Sequence, residues 1–182
     1  MKRSEINTII EDAIAFCDEM KFLLPPFAYW TLQDWQTKGD QYQEIKDNQI
    51  GWDITDFGSG DFDNIGLLIF VLRNGNFTNP KFEVSMDGRT FAVQPGEPFC
   101  VRPGESITLM PRQFHKFWAE PGTGKVLLGE VSTVADEAAD NNFPEYSGRL
   151  PAIEEDVPPK YLIFNDYALL KNPGAWPATW RS

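Results

Sequence analysis

Histidine occurs once in these 182 residues and cysteine only twice. Cys17 and Cys100 lie far apart with no Cys-x-x-Cys pair, so the chain has no disulfide framework, and a domain of this size does not need one. Basic residues are also scarce: 16 Lys and Arg face 27 Asp and Glu, a net charge of −11. That balance repels phosphate backbones and anionic membrane surfaces, which argues against nucleic-acid and membrane partners. A neutral ligand or a cation remains compatible with it, and solubility alone would also account for the acidity. The opening stretch MKRSEINTII has no uninterrupted apolar run and soon meets Glu5 and Glu11. It reads as neither a signal peptide nor a membrane span, which predicts a cytoplasmic protein. Walker and Gly-x-Ser-x-Gly motifs are missing. The glycines of GSGDF (58–62) lack the strand-to-helix setting of a nucleotide site.

Aromatic rings are plentiful, with six Trp and fourteen Phe, so they must dominate any core or cleft. The length predicts a single domain over 1–182. Ser4 reads as an N-cap. Ile6, Ile9, Ile10, Ala13, Ile14, Cys17 and Met20 then recur at helical spacing, and Pro25-Pro26 ends the helix near Phe22. Thr31 and Asp34 form a capping-box pattern for a short second helix reaching Gly39.

From residue 65 the pattern changes to short strand-like pieces between turn signals. They are IGLLIFVLR, FEVSM, RTFAV, PFCVR, SITLM, FHKFWAE and KVLLGEVST, parted by Asn74-Gly75, Asp87-Gly88, Pro95-Gly96, Pro103-Gly104, Pro111 and PGTG. Turns at this rhythm, with no helical periodicity, predict a mainly β sandwich or jelly roll. The expected layout is a helical region over 1–40, a β core over 65–135 and an acidic, Pro-rich tail over 136–182 packing on that core. Within the tail YLIFNDY is one more strand candidate, Glu154-Glu155-Asp156 reads as a solvated charge run, and Trp176 and Trp180 are expected to pin the end down.

His115, in PRQFHKFWAE, sits among Phe114, Phe117 and Trp118. An imidazole there could be a metal ligand, a general base or a core residue. Glu130 falls on the Val126, Leu128, Ser132 face of a strand candidate. That carboxylate either meets water at a strand end or enters a polar pocket, where desolvation would raise its pKa toward general-base range.

The stretch PGESITLMPRQFHKFW places a histidine after a turn, as cupins do at the mouth of their barrel, although the Pro-to-His gap is one residue short and the second Gly and the Asn are missing. Beyond it, LPPFAYWTLQDW, IGWDITDFGSGDFDNIGLLIFVLRNGN, VLLGEVSTVADEAADNNF, GRLPAIEEDVPP and NDY follow in order. Together they resemble the D-lyxose ketol-isomerase family of cupins from residue 1 to about 167. The resemblance implies a double-stranded β-helix (jelly roll) with N-terminal helices and a divalent metal, manganese in that family. It implies interconversion of D-lyxose with D-xylulose, or of D-mannose with D-fructose, on a small neutral sugar in a homodimer. Proton transfer through an ene-diol and a metal-assisted hydride shift both fit such a reaction.

The same resemblance implies metal ligands in a His-x-His pair, a Glu soon after it, and a later His. His115 matches the last, and the other three have no counterpart. In relatives they lie between the RNGN turn and the V-S-x-D-G-R turn, whereas here NFTNP runs almost directly into KFEVSMDGR, with the junction near Pro80 to Phe82. The β-helix is therefore expected to be incomplete. Either the chain has been cut or it re-pairs its remaining strands. By this likeness His115 is the surviving metal ligand, Glu130 the acid/base or substrate contact, and Asp53 a substrate-pocket residue. One imidazole is too few donors for manganese, which takes about six hard ligands, so weak activity is expected. A non-catalytic sugar-binding or oligomerisation module is the rival reading.

Overall fold

A computed structural model describes residues 1–38, 42–54, 68–73, 82–110, 114–130 and 152–181. The chain divides into two compact units, one built from Met1–Thr55 with Arg149–Ser182, the other from Asp56–Gly148. Helices lie in the first and antiparallel sheets in the second.

In the first unit, helix α1 spans Arg3–Glu19 and buries Ile6, Ile10 and Cys17 on one face. Its cap is Lys2, not Ser4, because the Glu5 carboxylate accepts from the Lys2 amide at 2.6 Å. The helix also stops earlier than Phe22. Lys21 turns left-handed (φ 57°) and the Phe22 amide reaches back to the Cys17 carbonyl at 2.8 Å, closing the end before the prolines. Helix α2, Leu32–Thr37, carries the expected box: the Asp34 amide donates to Thr31 Oγ1 and the Thr31 amide donates to Asp34 Oδ2. Helix α3, Gln43–Asp47, has no counterpart in the sequence reading.

The C-terminal stretch of this unit corrects two expectations. YLIFNDY is not a strand: Ile163 makes a single bridge to Trp52, then a 3-10 turn (Phe164–Asp166) leads into α4 (Tyr167–Leu170). The Asp166 carboxylate accepts from the Ile163 amide at 3.0 Å and so starts that turn, as a cap would. Nor is Glu154-Glu155-Asp156 merely a solvated run. The Glu154 carbonyl accepts from the Arg3 amide, Glu155 pairs with the Arg3 guanidinium, and Asp156 accepts from the Ser4 amide and hydroxyl at 3.0 and 2.6 Å. The core here is aromatic, as the composition requires. Trp35, Leu162, Tyr167 and Trp180 are buried together, with Phe27, Trp30 and Trp176 against them. Trp180 is buried and Trp176 half-buried, so both tryptophans of the end do pin it in place.

The second unit holds two three-stranded antiparallel sheets. One orders β4 (Pro98–Cys100), β1 (Leu68–Arg73) and β6 (Phe114–Ala119). The other orders β3 (Arg89–Val93), β2 (Phe82–Met86) and β5 (Ile107–Thr108). Val84 and Val101 are buried between them, and Phe99, Phe117, Met86, Val93, Ile107 and Leu109 close around that pair from both sheets. Asp87-Gly88 forms the β2–β3 turn with both residues at positive φ (49° and 73°), the type I′ geometry that suits strand twist. The Pro-Gly signals behave as expected. At 94–97, 102–105 and 120–123 the fourth amide donates to the first carbonyl, at 3.1, 3.0 and 3.2 Å.

KVLLGEVST departs from its expectation. Its described part, 125–130, is not strand, so the last strand among the described residues ends at Ala119. An apolar run alone does not make a strand, and none of the described strands pairs with it.

Candidate functional site

His115 is the second residue of β6, with Leu72 of β1 opposite in the register. Alternation along β6 puts it on the same face as Phe117, which packs onto the Val84–Val101 cluster. The imidazole therefore points between the two sheets. It is only 6% exposed and stacks on the Phe117 ring, with centroids 6.4 Å apart and planes 9° from parallel.

The described side chains packed around the Val84–Val101 cluster on this face are apolar: Met86, Val93, Phe99, Ile107, Leu109 and Phe117. Cross-strand registry gives Val84 opposite Phe91. Carboxylates of the neighbouring strands face away. Glu83 is exposed beside buried Val84, and Asp87 is spent on the turn, where its Oδ1 accepts from the Ser106 amide and hydroxyl at 2.9 and 2.8 Å. Those bonds hold the Asp87 carboxyl below the usual carboxylate range. Among the described residues no group of three His, Cys, Asp or Glu side chains is placed to hold a metal ion. A hard divalent ion needs about six donors, mostly oxygen, so the described surroundings of His115 do not fit one.

Glu130 is exposed and lies in the same unit as His115, beyond the last described strand. The alternation argument that put it on a strand face does not apply, since 125–130 is not extended ladder. Asp53 is exposed and belongs to the other unit, next to Trp52, whose indole Nε1 donates to the Ala28 carbonyl at 2.7 Å. Most of the GWDITDFGSGDF stretch, from 55 on, lies outside the described residues.

The densest buried polar cluster lies elsewhere. Arg3 is fully buried, with Nε and Nη2 on the Glu155 carboxylate (2.9 and 2.7 Å) and Nη1 and Nη2 on Asp166 (3.0 and 2.9 Å). Trp180 lies under the guanidinium at 5.3 Å and donates its indole N–H to Glu155. Burial pushes the Asp166 carboxyl up while Arg3 pulls it back. With its charges paired and bonded inside the fold, this cluster reads as structure, not chemistry. Arg3 and the NDY motif held it in the sequence, but nothing local linked residues so far apart.

The family model described as D-lyxose isomerase matches this chain in two stretches, residues 1–83 and 77–167. The D-lyxose/D-mannose isomerase of Serratia proteamaculans is 31% identical, over 92% of this chain and 98% of that protein. The D-lyxose/D-mannose isomerase of Escherichia coli O157:H7 matches with the same identity and coverage. Each alignment runs over 223 positions and takes in 92% of 182 residues, which leaves about 56 positions of the relatives without a counterpart here. The two stretches of the family match meet at 77–83, where the sequence alone placed the junction.

Proposed function

The chain belongs to the D-lyxose isomerase family, and from that premise we propose that it is a cupin-type sugar isomerase whose own catalysis is weak. The reaction would interconvert D-lyxose with D-xylulose, or D-mannose with D-fructose. The small neutral sugar suits a chain whose charge repels anions. The two facing sheets are compatible with a shortened double-stranded β-helix.

One observation carries the weakness: the sequence contains a single histidine. Manganese, the metal the resemblance implies, would supply polarisation of the sugar carbonyl. His115 is the one family-matched ligand for it, and one ligand cannot keep it bound. Of the chain's own groups in the unit that holds His115, we assign proton transfer between C1 and C2 to Glu130.

The experiment is metal analysis of the purified protein beside an isomerase assay with D-lyxose and D-mannose. Substoichiometric manganese and turnover far below that of full-length relatives are expected. Stoichiometric manganese with full turnover, abolished in His115→Ala, would overturn the reading. The shortage of donors also favours a second reading, a non-catalytic sugar-binding module. Sugar binding without any turnover, even with excess manganese, would select it.

A further inference from the structure

Asp87-Gly88 is the single Asp-Gly step of the sequence, and it sits at the tip of the β2–β3 hairpin. Met86 and Arg89 close the ladder, so Asp87 and Gly88 lie beyond it, both exposed and both at positive φ. No described atom comes within 4 Å of the position a Gly88 Cβ would take. With no side chain of its own, glycine lets its amide nitrogen approach the carboxyl carbon of a preceding aspartate.

Asp87 is nevertheless held. Its Oδ1 accepts from the Ser106 amide at 2.9 Å and from the Ser106 hydroxyl at 2.8 Å. Its own amide donates to the Ser106 carbonyl at 3.3 Å. These bonds tie the turn to a residue 19 positions away, just before β5. The bonds from Ser106 also favour the ionised carboxylate, and the Arg89 charge adds to their effect. Glu105, the acid beside Ser106, is turned onto the Arg102 amide at 2.7 Å.

We propose that Asp87 is a site of isomerisation to isoaspartate and that Ser106 guards it. The Gly88 amide nitrogen bonds to Asp87 Cγ, and the carboxyl hydroxyl leaves as water with the amide proton, closing a succinimide ring. Water then adds back at one of the two ring carbonyls. Opening at Cγ restores aspartate. Opening at the α carbonyl breaks its bond to the Gly88 nitrogen, so the chain now runs through Cγ and an α-carboxylate is left free. Nothing is oxidised or reduced, and the water lost is regained. Only the neutral carboxyl has this leaving group, so bonds that favour the carboxylate slow ring closure. The product lengthens the hairpin backbone by a carbon and moves the carboxylate from the position Ser106 binds.

Ageing the full chain in heavy-oxygen water, with peptide mapping in ordinary water, tests the proposal. Trypsin releases FEVSMDGR (82–89), in which Asp87 is the sole Asp or Asn, separate from the Asn74-Gly75 step upstream. A second form of this peptide, with altered retention and carrying heavy oxygen, is expected. It should form about tenfold faster or more in Ser106→Ala than in the wild type, the factor that a lost bond to a charged group is worth. Circular dichroism checks that the variant folds. If it does not, the wild-type chain aged in denaturant supplies the unguarded rate, which should exceed the folded rate by at least about tenfold. A peptide that never splits in any sample would overturn the proposal, as would an unguarded rate no faster than that of the folded wild type.

Discussion

The Arg3 guanidinium and the Asp166 carboxylate meet through two hydrogen bonds, 3.0 and 2.9 Å, across 163 positions of sequence. Replacing Arg3 by Ala leaves Asp166, and Glu155 at 20% side-chain exposure, without their cation. Removing one partner of a buried pair costs about 3–5 kcal/mol. Denaturant unfolding of Arg3→Ala should show a loss of that size, read in the intensity of the tryptophans packed around it.

Gly51 supports a second prediction. Its φ is +148°, and a Cβ there would collide with the Tyr167 hydroxyl, which itself donates to the Ile50 carbonyl at 2.9 Å. Gly51→Ala should destabilise by about 2 kcal/mol or more, through clash and backbone strain together. Thermal unfolding checks it, and an unchanged midpoint would show that the Gly51–Tyr167 approach is not maintained.

A third prediction follows from the donor shortage. A ligand present at a hundred times its Kd stabilises the folded state by about 2.7 kcal/mol. Manganese added to this chain should raise the unfolding midpoint far less than that. A large upward shift, lost in His115→Ala, would mean that donors beyond those described complete a site.

Acid sensitivity is the fourth. The Asp156 carboxyl is held below its ordinary range by bonds from Ser4, and Asp87 by bonds from Ser106. Groups with depressed folded pKa values contribute stability that is present above the unfolded value, about 3.9 for Asp. That contribution disappears as pH falls through the lower folded values. Stability should therefore decline in this acid window, and Ser4→Ala with Ser106→Ala should flatten the decline. An unchanged pH profile would remove these bonds as its source.

Turn and hairpin signals are legible in the sequence, the ends of α1 less so, and distant pairings hardly at all. The Thr31–Asp34 box, the Asp87-Gly88 hairpin, FEVSM, RTFAV and the Pro-Gly turns are set by a few neighbouring residues, and the structure agrees with each. YLIFNDY and KVLLGEVST have strand composition, but strand formation depends on a partner that composition does not specify. The charge run at 154–156 looked solvated because its cation, Arg3, is at the far end of the chain. For the site, His115 is legible as a unique residue, and the structure adds that it is buried, stacks on Phe117 and shares that residue's face of β6.

Because the first unit joins Met1–Thr55 to Arg149–Ser182, helix α1 leaves the ribosome long before the carboxylates and turns that hold it. At usual elongation rates of roughly 5–20 residues per second, that wait is on the order of ten seconds. Throughout it, a cation destined for a dry interior stays in water and the isoleucine face of α1 stays uncovered. Synthesis thus leaves an interval open to chaperones and proteases, and a chain stopped short of Asp166 would never close it.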